Sequence, residues 1–228
     1  MKHILDNPIY NSLKTAHHSF ANGTENVRYY ASDVAPFAGL KDNSDEDFKL
    51  LYENSATEST FVVFTPVAYA IPSQWKLLHQ INMFQMVYDS KQLPTGDDLD
   101  FADLNASHVK DMLALVKLTE PGPFRSRTIE LGNYTGVLNN DELVAMAGHR
   151  FNPTPYVEIS AVCTHPDHSG KGYAFRLIRE QIKRILEKSE IPFLHVRNDN
   201  DGAVKLYQKL GFHIRTEMIA YVVQKVVK

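Results

Sequence analysis

The segment VCTHPDHSGKGYA (Val162–Ala174) decides how this chain is expected to fold and what it is expected to bind. Apolar strand residues lead into it, Gly170 and Gly172 form a turn, and an amphipathic helix follows. Such a junction points unpaired backbone N–H groups and the positive end of the helix dipole at one place. A diphosphate is the natural ligand there, because glycine leaves the donors unobstructed. A Walker-type phosphate loop fits less well, since Lys171 is followed by glycine rather than Ser or Thr.

The composition is that of an ordinary globular protein, with 43% apolar and 22% charged residues among 228. A net charge of -3 gives no electrostatic reason to expect nucleic acid or an acidic membrane as a partner. The single cysteine, Cys163, excludes an intrachain disulfide and fits a reducing compartment. The N-terminal residues lack the apolar core of a signal peptide, and no apolar run reaches membrane-spanning length. We therefore expect a cytoplasmic protein.

Turn formers and acidic residues at Leu93–Asp98 mark the best boundary, which predicts an N-terminal α/β domain over 1–97 and a second domain over 98–228. Helices are predicted after Asn7, Ser44 and Asn105, from Pro72–Trp75 as a short element, and over 172–188 and 203–210. Strands are predicted over 27–31, 59–65, 81–88 and 99–102. Two more are predicted on either side of the turn 139–141, the second of them over 143–151. Further strands are predicted over 156–163 and 193–197, and a final pair of strands within 212–227. The N-terminal half contains no recognisable catalytic motif.

Two motifs in the second half resemble those of the GNAT superfamily of acyl-CoA-dependent N-acyltransferases. The family signature, Arg or Gln, two residues, Gly, one residue, then Gly or Ala, falls on Ser169, Gly172 and Ala174, so the small positions match and the first does not. Asn200, Ala203 and Tyr207, leading into Leu-Gly-Phe, match the end of the family's cofactor-binding helix. The resemblance covers roughly residues 98–228. It implies an α/β (α+β) fold of the GNAT acyl-CoA N-acyltransferase type, with a mixed, mostly antiparallel sheet flanked by helices.

The sequences of Leu118–Phe124 and Glu158–Pro166 are similar to those of a bacterial branch of this superfamily. Members of that branch carry an extra N-terminal region, as glycine N-acyltransferases do. Under this interpretation the N-terminal half is a degenerate copy of the same fold. Three roles are open for it: binding substrate, covering the active site, or forming a homodimer.

The resemblance implies acetyl-CoA as co-substrate. Its diphosphate would rest on the Gly170–Ala174 turn, with Lys171 offsetting the charge that Ser169 lacks. Its pantetheine arm would bond to the backbone of Val162–Thr164, because in this fold that strand splays from its neighbour; ordinary pairing on both sides is the alternative. The predicted cofactor-binding residues are Val162, Cys163, Thr164, Ser169, Gly170, Lys171, Gly172, Tyr173, Ala174, Asn200, Ala203 and Tyr207.

Tyr207 and Glu158 are the catalytic candidates that the resemblance implies. Tyr207 would protonate the departing thiolate, and its phenol is protonated at neutral pH; core packing beside Val204 and Leu210 is the alternative. Glu158 would take a proton from the attacking ammonium, with partial burial raising its pKa, unless it is a solvent-facing charge. Asn200 either contacts the cofactor or caps the following helix.

Other polar residues near the turn are given simpler roles. Cys163, His165 and His168 supply three possible ligands within six residues, but no fourth, so we expect no metal. A small buried thiol is favoured for Cys163 over an acyl-enzyme. Arg125 and Arg127 are interpreted as surface charges, with an anchor for a substrate carboxylate or phosphate as the alternative.

The predicted function is an N-acetyltransferase that moves an acetyl group from acetyl-CoA to a primary amine, on a small molecule or a peptide, by direct attack in a ternary complex. One alternative uses a longer acyl group or an amino acid acceptor. The other is a non-catalytic acyl-CoA-binding sensor, which Ser169 favours and Tyr207 opposes.

Overall fold

The computed structural model describes residues 3–97 and 99–226. Some predicted positions lie outside those ranges. They are the boundary residue Asp98, the outer ends of the two predicted domains, and Val227, the last residue of the predicted final strands. The helices are α1 Pro8–Lys14, α2 Asp45–Asn54, α3 Val109–Thr119, α4 Tyr173–Glu187 and α5 Asp201–Leu210. The strands are β1 Asn22–Gly23, β2 Val27–Tyr29, β3 Ala38–Leu40, β4 Thr60–Thr65, β5 Trp75–Val87, β6 Ala102–Asp103, β7 Thr135–Asn139, β8 Glu142–His149, β9 Tyr156–Thr164, β10 Ile191–Arg197 and β11 His213–Lys225.

The strands form a small antiparallel sheet, β1-β2-β3, and an eight-stranded sheet in the order β4-β11-β5-β10-β9-β8-β7-β6. Every neighbouring pair in the large sheet is antiparallel except β9 and β10, which are parallel. The predicted fold class, a mixed and mostly antiparallel sheet flanked by helices, is confirmed. Because β11 lies between β4 and β5, the large sheet continues across the boundary predicted at Asp98. The division into two domains there stays a prediction.

Local capping and turn signals determine several element ends, and those at Ser44 and at the turn 139–141 agree with the prediction. Ser44 caps α2 through a reciprocal capping box with Asp47. Asn140 and Asp141 adopt left-handed φ values of 51° and 64°, which suits a tight hairpin between β7 and β8. Glu120 is also left-handed where α3 ends ahead of Pro121. These signals act within a few residues, so the sequence carries them directly.

Three predicted elements are wrong. The proposed short helix at Pro72–Trp75 is a turn in which Trp75 N donates to Pro72 O, and β5 begins there because the Trp75 indole is buried and donates to Phe48 O. The strand predicted over 99–102 is only the two residues Ala102–Asp103. The final pair of strands is one strand of 13 residues, β11, which stays continuous because β4 and β5 pair with its two edges.

Helices cover both faces of the large sheet. On one face, Ile178 and Ile182 of α4 pack with Val157 of β9 and Leu194 of β10. On the other face, the segment containing α1 packs against β4, β10 and β11 through a core that includes Leu5, Ile9, Leu13, Phe64, Phe193 and Met218. Successive strand residues point to opposite faces, which explains why neighbours on β10 belong to different cores. β9 and β10 separate from each other between these two layers of helices.

Candidate functional site

β9 and β10 form a fork. They pair only from Tyr156–Glu158 to Ile191–Phe193, and among the described residues β9 has no β10 partner beyond Glu158. Ala161 has a left-handed φ of 52°, and the pairing of β8 with β9 shifts nearby, which is the geometry of a β-bulge. The bulge bends β9 away from β10, so the predicted divergence of the strands is confirmed. The edge of β9 that faces β10 over Val162–Thr164 is therefore open to a ligand's amide groups.

The glycine turn joins β9 to α4. Gly170 and Gly172 have φ values of 76° and 75°, which residues with a side chain rarely adopt. Gly172 is the N-cap of α4, and no described side chain caps that helix end. The first N–H groups of α4 therefore have neither an intrahelical acceptor nor a capping oxygen. This arrangement suits an anion at the positive end of a 15-residue helix.

Two cations flank the turn. Lys171 is exposed, and its Nζ lies 3.2 Å from His168 Nδ1. Arg176, which the sequence reasoning missed, donates from Nη1 to Lys171 O at 2.8 Å and lies beside Gly172. Its position four residues after the N-cap glycine, one helical turn on, is the signal that could have found it. Ser169 is exposed and carries no charge, so Lys171 and Arg176 are the basic groups of the turn.

Asn200 and Tyr207 lie on α5. Asn200 Oδ1 accepts from Ala203 N at 3.1 Å, so the helix cap that was one of its two predicted roles is present. Tyr207 is half-buried, its ring packs against Phe212, and its hydroxyl has no hydrogen bond to the described residues. Burial raises the pKa of Tyr207 to about 12. A protonated phenol with no protein partner is compatible with a proton donor and with simple packing.

Glu158, the candidate base, is held by two cationic or polar partners inside the fold. Its side chain is fully buried, its oxygens accept from Arg150 Nε and Nη2 at 2.8 and 2.5 Å, and His195 Nδ1 lies 2.6 Å away. Burial pushes the pKa of this carboxyl upward, but the Arg150 charge and the hydrogen bonds from Arg150 and His195 outweigh it and lower the pKa to about 2. The prediction of a raised pKa is wrong, because the reasoning considered burial without a partner. Such a carboxylate is a weak proton acceptor.

These contacts extend into a buried polar network. His195 Nε2 lies 2.9 Å from Gln85 Nε2, and Gln85 Oε1 accepts from Arg215 Nε at 2.5 Å. Arg215 in turn donates to Asp6 Oδ1 at 2.7 Å, just before α1. This polar network comprises Arg150, Glu158, His195, Gln85, Arg215 and Asp6, and it is partly exposed at Arg215 and Asp6. It joins the base of the fork to the segment that covers this face of the sheet.

The remaining candidates have ordinary structural environments. Cys163 is buried, and burial raises the pKa of its thiol to about 11, as suits a packed thiol. Arg127 makes a two-pronged ion pair with Glu130 and also contacts Asp33, so its guanidinium is engaged by protein carboxylates. Within residues 3–97 and 99–226, no group of three or more His, Cys, Asp or Glu is arranged to hold a metal ion, and no helix is long and apolar enough to cross a membrane.

The comparison with known proteins gives matches to part of the chain and matches to nearly all of it. The model of the FR47-like protein family matches residues 134–221, which contain the fork and the glycine turn. N-alpha-acetyltransferase RimI of Mycobacterium tuberculosis is 34% identical over 83 residues, covering 35% of this chain and 51% of RimI. Mycothiol acetyltransferase of Corynebacterium aurimucosum is 34% identical over 70 residues, covering 30% of this chain and 23% of that protein. The chain thus spans about half or less of the length of these curated relatives.

A solved structure matches the chain from end to end. It is a protein of Novosphingobium aromaticivorans assigned to the GNAT family of acetyltransferases, with 32% identity and a TM-score of 0.92. The alignment covers 99% of this chain and 100% of that one, so it includes the N-terminal half as well as the fork. The chain belongs to the GNAT family of acetyltransferases.

Proposed function

We propose that this protein is an N-acetyltransferase that moves an acetyl group from acetyl-CoA to a primary amine on a small molecule or a peptide. The observation that carries the proposal is the continuity of β9: its free edge at Val162–Thr164 leads directly into the glycine turn and the uncapped start of α4. An extended amide-containing arm and a diphosphate are joined in the same order in coenzyme A. β9 and the turn after it therefore offer backbone hydrogen-bonding groups that are complementary to both of these parts of coenzyme A.

The cofactor contacts follow from this order. Backbone N–H groups of the turn from Gly170 to Ala174 would bind the diphosphate, with Lys171 and Arg176 supplying positive charge. The free edge of β9 would bond to the pantetheine amides as an added strand does. Asn200 has its oxygen committed to the cap of α5, so its contribution to the cofactor would come from the amide nitrogen.

The chemistry is direct acyl transfer between two bound substrates. The neutral amine attacks the thioester carbonyl, a C–N bond forms, the C–S bond breaks, and the thiolate takes a proton. An N–H on the free edge of β9 would stabilise the oxyanion. The ammonium proton would leave through water, because Glu158 is fully engaged by Arg150 and His195. Positioning both substrates would supply much of the rate.

Tyr207 is the proposed proton donor to the thiolate. Its pKa, raised to about 12, lies above that of a free thiol in water, about 8.5. A leaving thiolate that the two bound substrates shield from water would have its pKa raised by the same cause. The two groups are then close enough in strength for the proton to move from phenol to thiolate.

The test has a binding arm and a turnover arm. Calorimetric titration with acetyl-CoA, free coenzyme A and ATP measures the site; we expect both coenzyme forms to bind well and ATP much more weakly. Acetyl-CoA is then mixed with a panel of primary amines, including amino acids, and released thiol is measured. Binding without turnover of any amine would favour an acyl-CoA sensor. A lack of coenzyme binding would overturn the proposal.

A further inference from the structure

His195 bridges the two strands of the fork at the point where they separate. Glu158 of β9 and Phe193 of β10 are the last residues that pair, and His195 lies two residues further along β10. Its Nδ1 lies 2.6 Å from Glu158 Oε1, and the two side chains have only 1% and 0% of their surface exposed. A buried side-chain contact thus continues the connection between β9 and β10 one step beyond their backbone hydrogen bonds.

The hydrogen bonds of this bridge run in one direction. An ionised carboxylate can only accept, so the imidazole proton of a neutral His195 is on Nδ1 and is donated to Glu158. Burial lowers the pKa of His195, which keeps the ring neutral near pH 7. Nε2 then accepts from Gln85 Nε2 at 2.9 Å. A single tautomer satisfies both neighbours, and this fixes the orientation of the ring.

Aromatic rings hold the other partner of Glu158 in place. The Arg150 guanidinium lies 5.1, 5.6 and 4.8 Å from the ring centres of Phe37, Phe64 and Phe151. The Phe64 ring also meets the His195 ring edge-on, with 4.9 Å between their centres. Arg150, Glu158 and His195 therefore form one packed unit at the base of the fork, and close packing leaves such a unit little freedom to move.

The N-terminal half of the chain supplies much of this support. Phe37 directly precedes β3, Phe64 lies on β4, and Gln85 lies on β5. Gln85 is fully buried, and its Nε2 also donates to Leu5 O at 2.8 Å, so it holds His195 from a fixed position. The half of the chain that carries no recognisable catalytic motif thus braces the point from which the two arms of the cleft diverge.

A small change at this point would be amplified further along β9. Thr164, at the end of the free edge, is six residues beyond Glu158. A strand rises about 3.3 Å per residue, so a tilt of about 5° at Glu158 would move Thr164 by roughly 2 Å. A displacement of that size breaks a hydrogen bond. The bridge at His195 therefore controls where the free edge of β9 lies relative to β10.

We propose that His195 is a positioning residue that sets the separation of β9 and β10, and this role rests on the proposed coenzyme site. The pantetheine arm lies in the fork and depends on that separation. The diphosphate is bound by backbone groups of the glycine turn, which lies on one side of the fork only. Loss of the bridge therefore weakens the binding of pantetheine and leaves the binding of diphosphate unchanged.

His195→Phe tests the bridge, because it keeps a packed ring, removes both nitrogens and leaves Glu158 paired with Arg150. Calorimetric titration compares coenzyme A with 3′-phospho-ADP, the part of coenzyme A that carries the diphosphate but lacks pantetheine. We expect the affinity for coenzyme A to fall about tenfold or more and the affinity for the fragment to stay within about twofold. In His195→Asn the amide nitrogen can replace Nδ1 as donor to Glu158, so this variant is expected to retain most of the parent affinity.

Gln85→Leu is a second variant of the same network, since it removes the donor behind His195 without touching Glu158. It is expected to weaken coenzyme A binding in the same selective way, to a smaller extent. His17→Phe is the matched control, because His17 is also buried and lies 2.9 Å from the Tyr30 hydroxyl, but is outside the fork. Its melting temperature is expected to fall while it binds both ligands as the parent does.

The outcomes separate this proposal from the proposed function. Unchanged coenzyme A affinity in both His195→Phe and Gln85→Leu would overturn the positioning role. An equal loss of affinity for coenzyme A and for the fragment would overturn it as well, because a general structural defect affects both ligands. If the parent protein binds neither ligand, the proposed coenzyme site itself is wrong.

Discussion

Replacing Glu158 with glutamine tests whether this residue stabilises the fold or acts as a base. The substitution keeps the shape of the side chain but removes the charge that faces Arg150 and His195. Arg150 has only 13% of its side chain exposed, so its guanidinium would be left buried without a counter-ion. Removing one partner of a buried ion pair is costly for that reason.

The pKa of Glu158 gives the size of the effect. A fall from the ordinary value of 4.5 to about 2 corresponds to roughly 3 kcal/mol of stability. Because the folded-state pKa is the lower one, this contribution is complete above about pH 4.5 and is lost as the pH falls towards 2. We therefore expect Glu158→Gln to lower the free energy of unfolding by about 3 kcal/mol at pH 7, and by progressively less at acid pH.

Urea unfolding from pH 7 down to pH 3 measures this difference, with Glu217→Gln, an exposed residue of β11, as the control. A loss below about 1 kcal/mol at pH 7, within the range of exposed pairs, would refute the reasoning. Activity of the folded fraction separates the roles. If Glu158 were the general base, its loss would reduce kcat by about 100-fold or more; we expect a much smaller change.

Three further predictions concern the cleft. Tyr207→Phe is expected to lower kcat about 10- to 100-fold while coenzyme A binding by calorimetry stays the same; equal loss of both would mean that the hydroxyl binds the coenzyme rather than donating a proton to the thiolate. Gly172→Ala strains a residue at φ 75° and should weaken coenzyme A binding by roughly 1–2 kcal/mol, whereas Gly202→Ala, in the unstrained first turn of α5, should not. Cys163, buried and with a pKa of about 11, should resist iodoacetamide at pH 8 until the protein unfolds, as followed by mass spectrometry; rapid labelling of the native chain would contradict its packing.

The parts of the fold that sequence predicts are those that depend on short-range chemistry. The capping box of Ser44 and the tight turn at Asn140 and Asp141 are each complete within four residues. The start of β5 is different. Pro72 is typical of the first turn of a helix, but Trp75 is held by Phe48, which lies 27 residues earlier in the chain. Tertiary burial of one indole overrides the local signal there.

The candidate site divides in the same way. The glycine turn and the motif ending at Tyr207 are contiguous, so their spacing could be recognised directly. The expected rise in the pKa of Glu158 is wrong because its partners come from elsewhere: Arg150 is eight residues earlier and His195 is 37 residues later. An acidic residue in an apolar strand does not reveal whether it has a cation to pair with. Its pKa therefore depends on the fold, and the sign of its shift could not be predicted from strand alternation.

The order of the strands explains how the fork is kept open. β10 leaves β9 after Phe193, and a strand that diverges in this way would expose an unpaired edge on both sides. β5 prevents this by pairing with β10 over Phe193–Arg197, which includes all of β10 that lies beyond its last pair with β9. His195, which lies in this part of β10, is also linked by hydrogen bonds through Gln85 of β5 to Arg215 and Asp6. β5 and Asp6, which precede Asp98, thus help to hold the second arm of the cleft, although the motifs that identify the cleft all follow Asp98.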